Sequence, residues 1–188
     1  LTNNRLTKIP ISIGNLSSLQ ILNLSKNQLY NLPISIGDLS ALKTIYLNEN
    51  HLNSLPSTIE NLNALEKLII HTNQLHSLPK SIGKLYKLKT LSAYQNKLKN
   101  LPISISQLNN LTLLNLNKNQ ITFLPKTIGN LKNLDKLYLS KNSLTSIPES
   151  LHLLNKLTTL YITGNYLSLK QREWLISHLP KCNIHSYP

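Results

Sequence analysis

Asparagine stands at positions 4, 27, 50, 73, 96, 119, 142 and 165, every 23 residues without a slip. A fixed period of 20 to 50 residues means that one small unit is copied along the chain and stacked on itself, and no other feature narrows the available folds as far. Aligning on that asparagine brings the apolar residues into columns. Five residues before it stand Leu22, Ile45, Leu68, Leu91, Leu114, Leu137 and Leu160; two after it stand Leu6, Leu29, Leu52, Leu75, Leu98, Ile121, Leu144 and Leu167. Proline follows six residues after it, from Pro10 to Pro148, and an aliphatic residue nine after it, from Ile13 to Leu151. The unit reads L-x-x-L-x-L-x-x-N-x-L-x-x-L-P-x-x-I-G-x-L-x-x.

Within that unit, L-x-L alternates apolar with variable residues, the period of a half-buried strand. The stretch around P-x-x-I-x-x-L has the wider spacing of a short helical or 3₁₀ turn. One unit of this length cannot hide its leucines alone, but stacked units share a continuous core and pair their strands in parallel. The expected fold is an α/β solenoid, an arc with a parallel β-sheet on its concave face and short helical or 3₁₀ turns on its convex face. Where the chain bends after each strand, backbone N–H and C=O groups have no ladder partner, and a side-chain amide offers both donors and an acceptor. The asparagine column is therefore read as structural.

This unit resembles the leucine-rich repeat in its 23-residue spacing, over about residues 1–167, as some eight repeats with the first incomplete. The resemblance implies a scaffold that carries binding surfaces for unrelated partners. The repeat pattern, the lysine and asparagine bias and the terminal Q-R-E-W-L-x-x-x-L-P-K-C segment are similar to bacterial leucine-rich repeat proteins, those of spirochaete pathogens included. That implies a secreted or cell-surface role in contact with host molecules, without naming a ligand.

The two ends depart from the pattern. Leu1 is the third aliphatic of a strand in this register, so the chain is expected to begin inside a repeat, with an uncapped edge through which copies could pair. After Leu167, Lys170 and Gln171 replace leucine and proline. Ser168 to Gln171 then spells a capping box, and Trp174, Leu175 and Leu179 follow at helical spacing before Pro180. Residues 168–188 are accordingly predicted to hold a capping amphipathic helix and tail, with Trp174 as its core anchor.

Catalytic signatures are lacking. The five glycines fall in repeat columns, so they form no phosphate-cradling loop, and G-x-S-x-G, H-E-x-x-H and Walker patterns are absent. The seven carboxylates lie mostly in exposed columns of different repeats, whereas acid–base work needs two that converge. No enzymatic activity and no cofactor are expected. Lone Cys182 lies between His178 and His185 with no fourth ligand evident, and His51, His71 and His76 occupy different columns, so no metal centre is expected either. No apolar run approaches the roughly 18 residues that span a bilayer.

Function is sought in the variable columns of the strands, which point away from the core on the concave face. Tyr46, Tyr94, Tyr138 and Tyr161 put half of the chain's eight tyrosines there. Tyrosine suits strands in any case, but it is also a favoured interface anchor. The candidate partner-binding residues are Tyr46, Ile69, His71 and Tyr94 at the centre and Tyr138 and Tyr161 beyond them, edged by Lys67 and Lys136. The expected function is a non-enzymatic protein-interaction module that grips a protein partner on this face.

Charge supplies an alternative. Twenty Lys and Arg oppose seven Asp and Glu, giving +13, and Lys80 to Lys99 holds six lysines and no acid. Such a balance favours an acidic partner, whether an acidic protein, a phospholipid surface or a polyanion such as a glycosaminoglycan or a nucleic acid. Nucleic acid is disfavoured because only Arg5 and Arg172 offer arginine's fork. A further alternative makes the segment the recognition domain of a larger effector enzyme. Finally, Ala93 interrupts the column Leu24, Leu47, Ile70, Leu116, Leu139, Ile162, which marks the fifth repeat as the expected soft point of the core.

Overall fold

A computed structural model of the protein, describing residues 1–186, shows one open sheet of eight parallel strands in sequential order. The strands are β1 (Ile21–Asn23), β2 (Thr44–Tyr46), β3 (Lys67–Ile69), β4 (Thr90–Ser92), β5 (Leu113–Asn115), β6 (Lys136–Tyr138), β7 (Thr159–Tyr161) and β8 (Asn183–His185). From β1 to β7 each residue pairs with the one 23 positions on, as Leu68 does with Leu91. Column and register are therefore the same thing. The middle residue of each of these strands is buried at no more than 5% exposure, and its neighbours face outward.

Opposite the sheet, each proline starts a 3₁₀ turn, as in Ile34–Asp38, Ser57–Asn61 and Ile103–Gln107. The ring holds Pro33 at φ −66°, and its carbonyl accepts the Ile36 N–H at 3.0 Å. Successive turns pack so closely that a methyl group on Gly37 would collide with the Thr58 carbonyl oxygen. A hydroxyl ladder ties them together: Ser35 donates to the Ile11 carbonyl at 2.6 Å, Thr58 to Ile34 at 2.6 Å and Ser104 to Lys80 at 2.6 Å. Between sheet and turns runs one aliphatic core, in which most of the leucines and isoleucines have no exposure at all. Each such side chain contributes about 1.5–3 kcal/mol by leaving water.

The asparagines span neighbouring units. Asn50 Oδ1 accepts the Leu29 N–H at 3.0 Å, while its Nδ2 donates to the carbonyls of Leu24 at 2.9 Å and Leu47 at 3.0 Å. Asn73, Asn96, Asn119 and Asn142 repeat the arrangement. The residue before each asparagine takes left-handed backbone: Asn3, Lys26, Glu49, Thr72, Gln95, Lys118 and Lys141 lie at φ 53–57°, and Gly164 at 66°. Only the last of these positions uses glycine, so the spacing gave no hint of the other seven.

At the carboxyl end, helix α1 (Leu169–His178) begins at Ser168, whose Oγ accepts the Gln171 N–H at 3.3 Å. Only half of the capping box forms, because Gln171 Oε1 is buried without a partner. Trp174 is not the deepest anchor. It is half-buried and stacked on His178 with centroids 4.4 Å apart, whereas Leu175 is wholly buried and Leu179 nearly so. With Leu169 and Ile176 exposed, the helix has a narrow apolar stripe rather than a broad amphipathic face. Beyond it the chain returns to the sheet as β8, a strand for which the 23-residue pattern gave no signal.

Candidate partner-binding face

Three outward columns line the concave side. One holds Ile21, Thr44, Lys67, Thr90, Leu113, Lys136 and Thr159; the next Asn23, Tyr46, Ile69, Ser92, Asn115, Tyr138 and Tyr161; the third, just past the strands, Ser25, Asn48, His71, Tyr94, Asn117, Ser140 and Thr163. Parallel strands lie about 4.8 Å apart, so members of one column touch. Tyr46, Tyr94, Tyr138 and Tyr161 are each half-buried against such neighbours.

The candidate residues fall into two groups. Lys67 Nζ sits 5.4 Å from the centre of the Tyr46 ring, and the His71 ring stacks on Tyr94 with centroids 4.4 Å apart. Ile69 lies beside them in β3, but it is not an accessible anchor: only 8% of it is exposed, outside the interior cluster, so it forms the floor. In the second group Tyr138 and Tyr161 lean together at 5.3 Å, and Lys136 stands exposed on the same strand as Tyr138. His185 of β8 extends this ridge by stacking on Tyr161 at 4.0 Å. It pairs 24 rather than 23 residues after Tyr161, and the alternation in Asn183-Ile184-His185 was the one clue to it.

Electrostatically the face is one-sided. None of the seven carboxylates stands in the three outward columns, which carry Lys67 and Lys136 as fixed charges. Burial holds the His71 imidazole below its ordinary pKa, against a smaller opposing pull from Glu49. One His71 ring nitrogen lies 3.1 Å from Thr72 Oγ1. The lysine-rich run Lys80–Lys99 is less bare than it looks. Lys84 pairs with Glu60 at 3.2 Å and Lys89 with Glu66 at 2.8 Å, each acid supplied by the preceding unit. The Lys89 ammonium, donating to Glu66, holds that carboxyl below its usual range.

The histidines and the cysteine are scattered. Burial pushes the Cys182 thiol up to about 11, which leaves little thiolate for chemistry. His178 lies against Trp174 and His185 against Tyr161; His51 lies 5.4 Å from Tyr30. Among the described residues no three His, Cys, Asp or Glu side chains converge as a metal site would need, and no helix is long and apolar enough to cross a membrane.

The family profile of a leucine-rich repeat region matches residues 1–77 and 68–183. Among solved structures, a leucine-rich repeat protein of Leptospira interrogans is 36% identical with a TM-score of 0.75, over 97% of this chain and 52% of that one. The plant peptide hormone receptor RGFR1, in complex with RGF2, is 32% identical with a TM-score of 0.87, over the whole of this chain and 31% of the receptor. An internalin of Listeria monocytogenes is 26% identical with a TM-score of 0.79, over 94% of this chain and 50% of that one. The chain thus spans about half the length of the two bacterial proteins and a third of the receptor. Among curated proteins none matches.

Proposed function

Because the chain belongs to the leucine-rich repeat family, we infer that it is a non-enzymatic interaction module whose concave sheet grips a protein partner. One observation carries this reading: the outward columns of an open sheet bear four tyrosines, of which Tyr94, Tyr138 and Tyr161 are gathered with His71 and His185 into ring contacts and Tyr46 lies under the Lys67 ammonium. Aromatic side chains held by their neighbours lose little freedom on binding, and each offers apolar area with a polar tip. The plant receptor, solved with its RGF2 ligand, supports a polypeptide as the kind of partner, and the likeness to a Leptospira leucine-rich repeat protein supports a bacterial setting.

The reading is tested with a partner captured on the immobilised chain. Tyr94→Ala and Tyr138→Ala on the concave face are each expected to weaken binding by about 2 kcal/mol or more, the usual size for an interface anchor. Tyr86→Ala, in the turn between the 3₁₀ segment Lys80–Lys84 and β4 and 58% exposed, is the control and should change nothing. Equal loss at Tyr86, or none at Tyr94 and Tyr138, removes the concave site.

A further inference from the structure

Lys67 and Lys136 occupy the same column, on β3 and β6, three strands apart. Neither is ion-paired among the described residues, where the two ion pairs are Lys84–Glu60 and Lys89–Glu66. Between them in the column stand Thr90 and Leu113, flanked by Ser92, which is 8% exposed, and Asn115. The floor there is low and uncharged, with a single half-exposed aliphatic side chain. Bulkier groups rise along its C-terminal side, the stacked His71 and Tyr94 toward β3 and β4 and Tyr138 on β6. A shallow trough, walled on that side, therefore crosses β3 to β6 between Lys67, whose ammonium rests over the Tyr46 ring of β2, and the exposed Lys136.

Its length sets what fits. Three strand spacings amount to about 14 Å, and an extended chain advances about 3.3 Å per residue, so two side chains four residues apart span the two lysines. In an extended segment residues i, i+2 and i+4 share a face. With i and i+4 over the lysines, the i+2 side chain sits over Leu113 and Thr90. We propose that the concave face reads an extended acidic segment of its partner, of the form acid-x-aliphatic-x-acid, with Lys67 and Lys136 each taking one carboxylate and Leu113 taking the central side chain. This rests on the concave binding reading and specifies its ligand. Charge complementarity selects this occupant: the outward columns hold no carboxylate to repel one, and Lys67 and Lys136 supply its countercharges.

The test is selection of random twelve-residue peptides displayed on phage against the whole chain, followed by fluorescence anisotropy of the winners. The enriched peptides are expected to carry two acids four residues apart around an aliphatic residue. Amidation of either acid, Lys67→Ala and Lys136→Ala should each weaken binding about tenfold or more, the size of one charge-assisted hydrogen bond. Lys87→Ala, outside the three columns, should leave binding unchanged. Winners that lose affinity with Tyr94→Ala or Tyr138→Ala yet lack the spaced acids would overturn the acidic motif and leave the concave site standing. Winners insensitive to all four concave substitutions would overturn both. A heparin octasaccharide whose binding vanished in the Lys67→Ala, Lys136→Ala double variant would place a polysaccharide in the trough and overturn the peptide assignment.

Discussion

His185 lies on Tyr161 with ring planes 13° apart, so the last strand continues the aromatic ridge of the concave face. The same strand is the last of the open sheet and covers the edge of β7. Thr158 accepts the Asn183 N–H at 2.8 Å, His185 accepts the Ile162 N–H at 2.8 Å, and Ile184 packs on the core beneath. An open edge on β7 would invite pairing with other chains.

Ile184→Asp is expected to detach β8, because a carboxylate against the core costs several kcal/mol more than the strand's three-residue ladder returns. Amides of β7 should then exchange faster and the protein should self-associate, as read by hydrogen exchange and light scattering. Unchanged protection in β7 would show that β8 covers nothing.

Much of this architecture was legible because one period governs both register and burial. Once Leu68 and Leu91 share a column they must also pair, and the variable residues between the leucines must face outward. What escaped was whatever departs from the period or lies across it. β8 pairs at 24 residues through a helix-bearing insertion, so its column is broken. The ion pairs of Lys84 and Lys89 join adjacent units, whereas a run of residues read along the chain shows only lysine. Ile69 was read as accessible because its column points outward, but its neighbours cover it. The hydroxyl ladder of Ser35, Thr58, Ser81 and Ser104 was visible as a column and went unread, because serine and threonine are ordinary surface residues until their 3₁₀ turns are known to touch.

Asn50→Leu is expected to cost about 1–3 kcal/mol. The substitution keeps the volume but leaves the buried Leu29 N–H without a partner, whereas the Leu24 and Leu47 carbonyls lose one amide donor and keep another, from Asn27 and Asn73. Asn4 serves only exposed carbonyls, of Leu1 and Thr2, so Asn4→Ala should cost well under about 1 kcal/mol. Urea denaturation of the two variants measures the difference.

The left-handed position before each asparagine predicts opposite signs for two further changes. Thr72 is β-branched at φ 55°, a strained backbone for such a residue, so Thr72→Gly should stabilise by about 1 kcal/mol. Gly164→Ala should destabilise by a similar amount. At Gly164 an added methyl would meet Lys141 no closer than 3.4 Å, which leaves the backbone as the cause. Parallel thermal melts would give the two signs.

Stability should also fall on mild acidification through His71. Its folded pKa lies below the ordinary value of about 6.5, so above that value both states are neutral and no difference arises. As pH drops through 6.5 toward the depressed folded value, the unfolded chain gains a proton that the folded one resists, and stability is lost. His71→Gln should flatten this slope, and an imidazole NMR titration should place the midpoint for His71 below the ordinary value.

Ala93 separates packing from hydrogen bonding in the sheet. Its N–H donates to the Asn115 carbonyl at 2.8 Å, the same length as the equivalent bonds from Ile70 to Ser92 and from Leu116 to Tyr138. Any difference in amide exchange among the three must come from what surrounds them. Ile70 and Leu116 fill their layer of the core, whereas Ala93, equally buried, lacks their outer methyl groups. Truncating such a residue to alanine typically costs about 2–5 kcal/mol. In a stacked array that deficit falls on one unit and its two interfaces rather than on the whole chain. The Ala93 amide should therefore exchange faster than those of Ile70 and Leu116 under native conditions, opening the arc first at β4, between the two halves of the proposed trough. Equal protection at all three would mean that the neighbouring leucines have closed over the missing methyls.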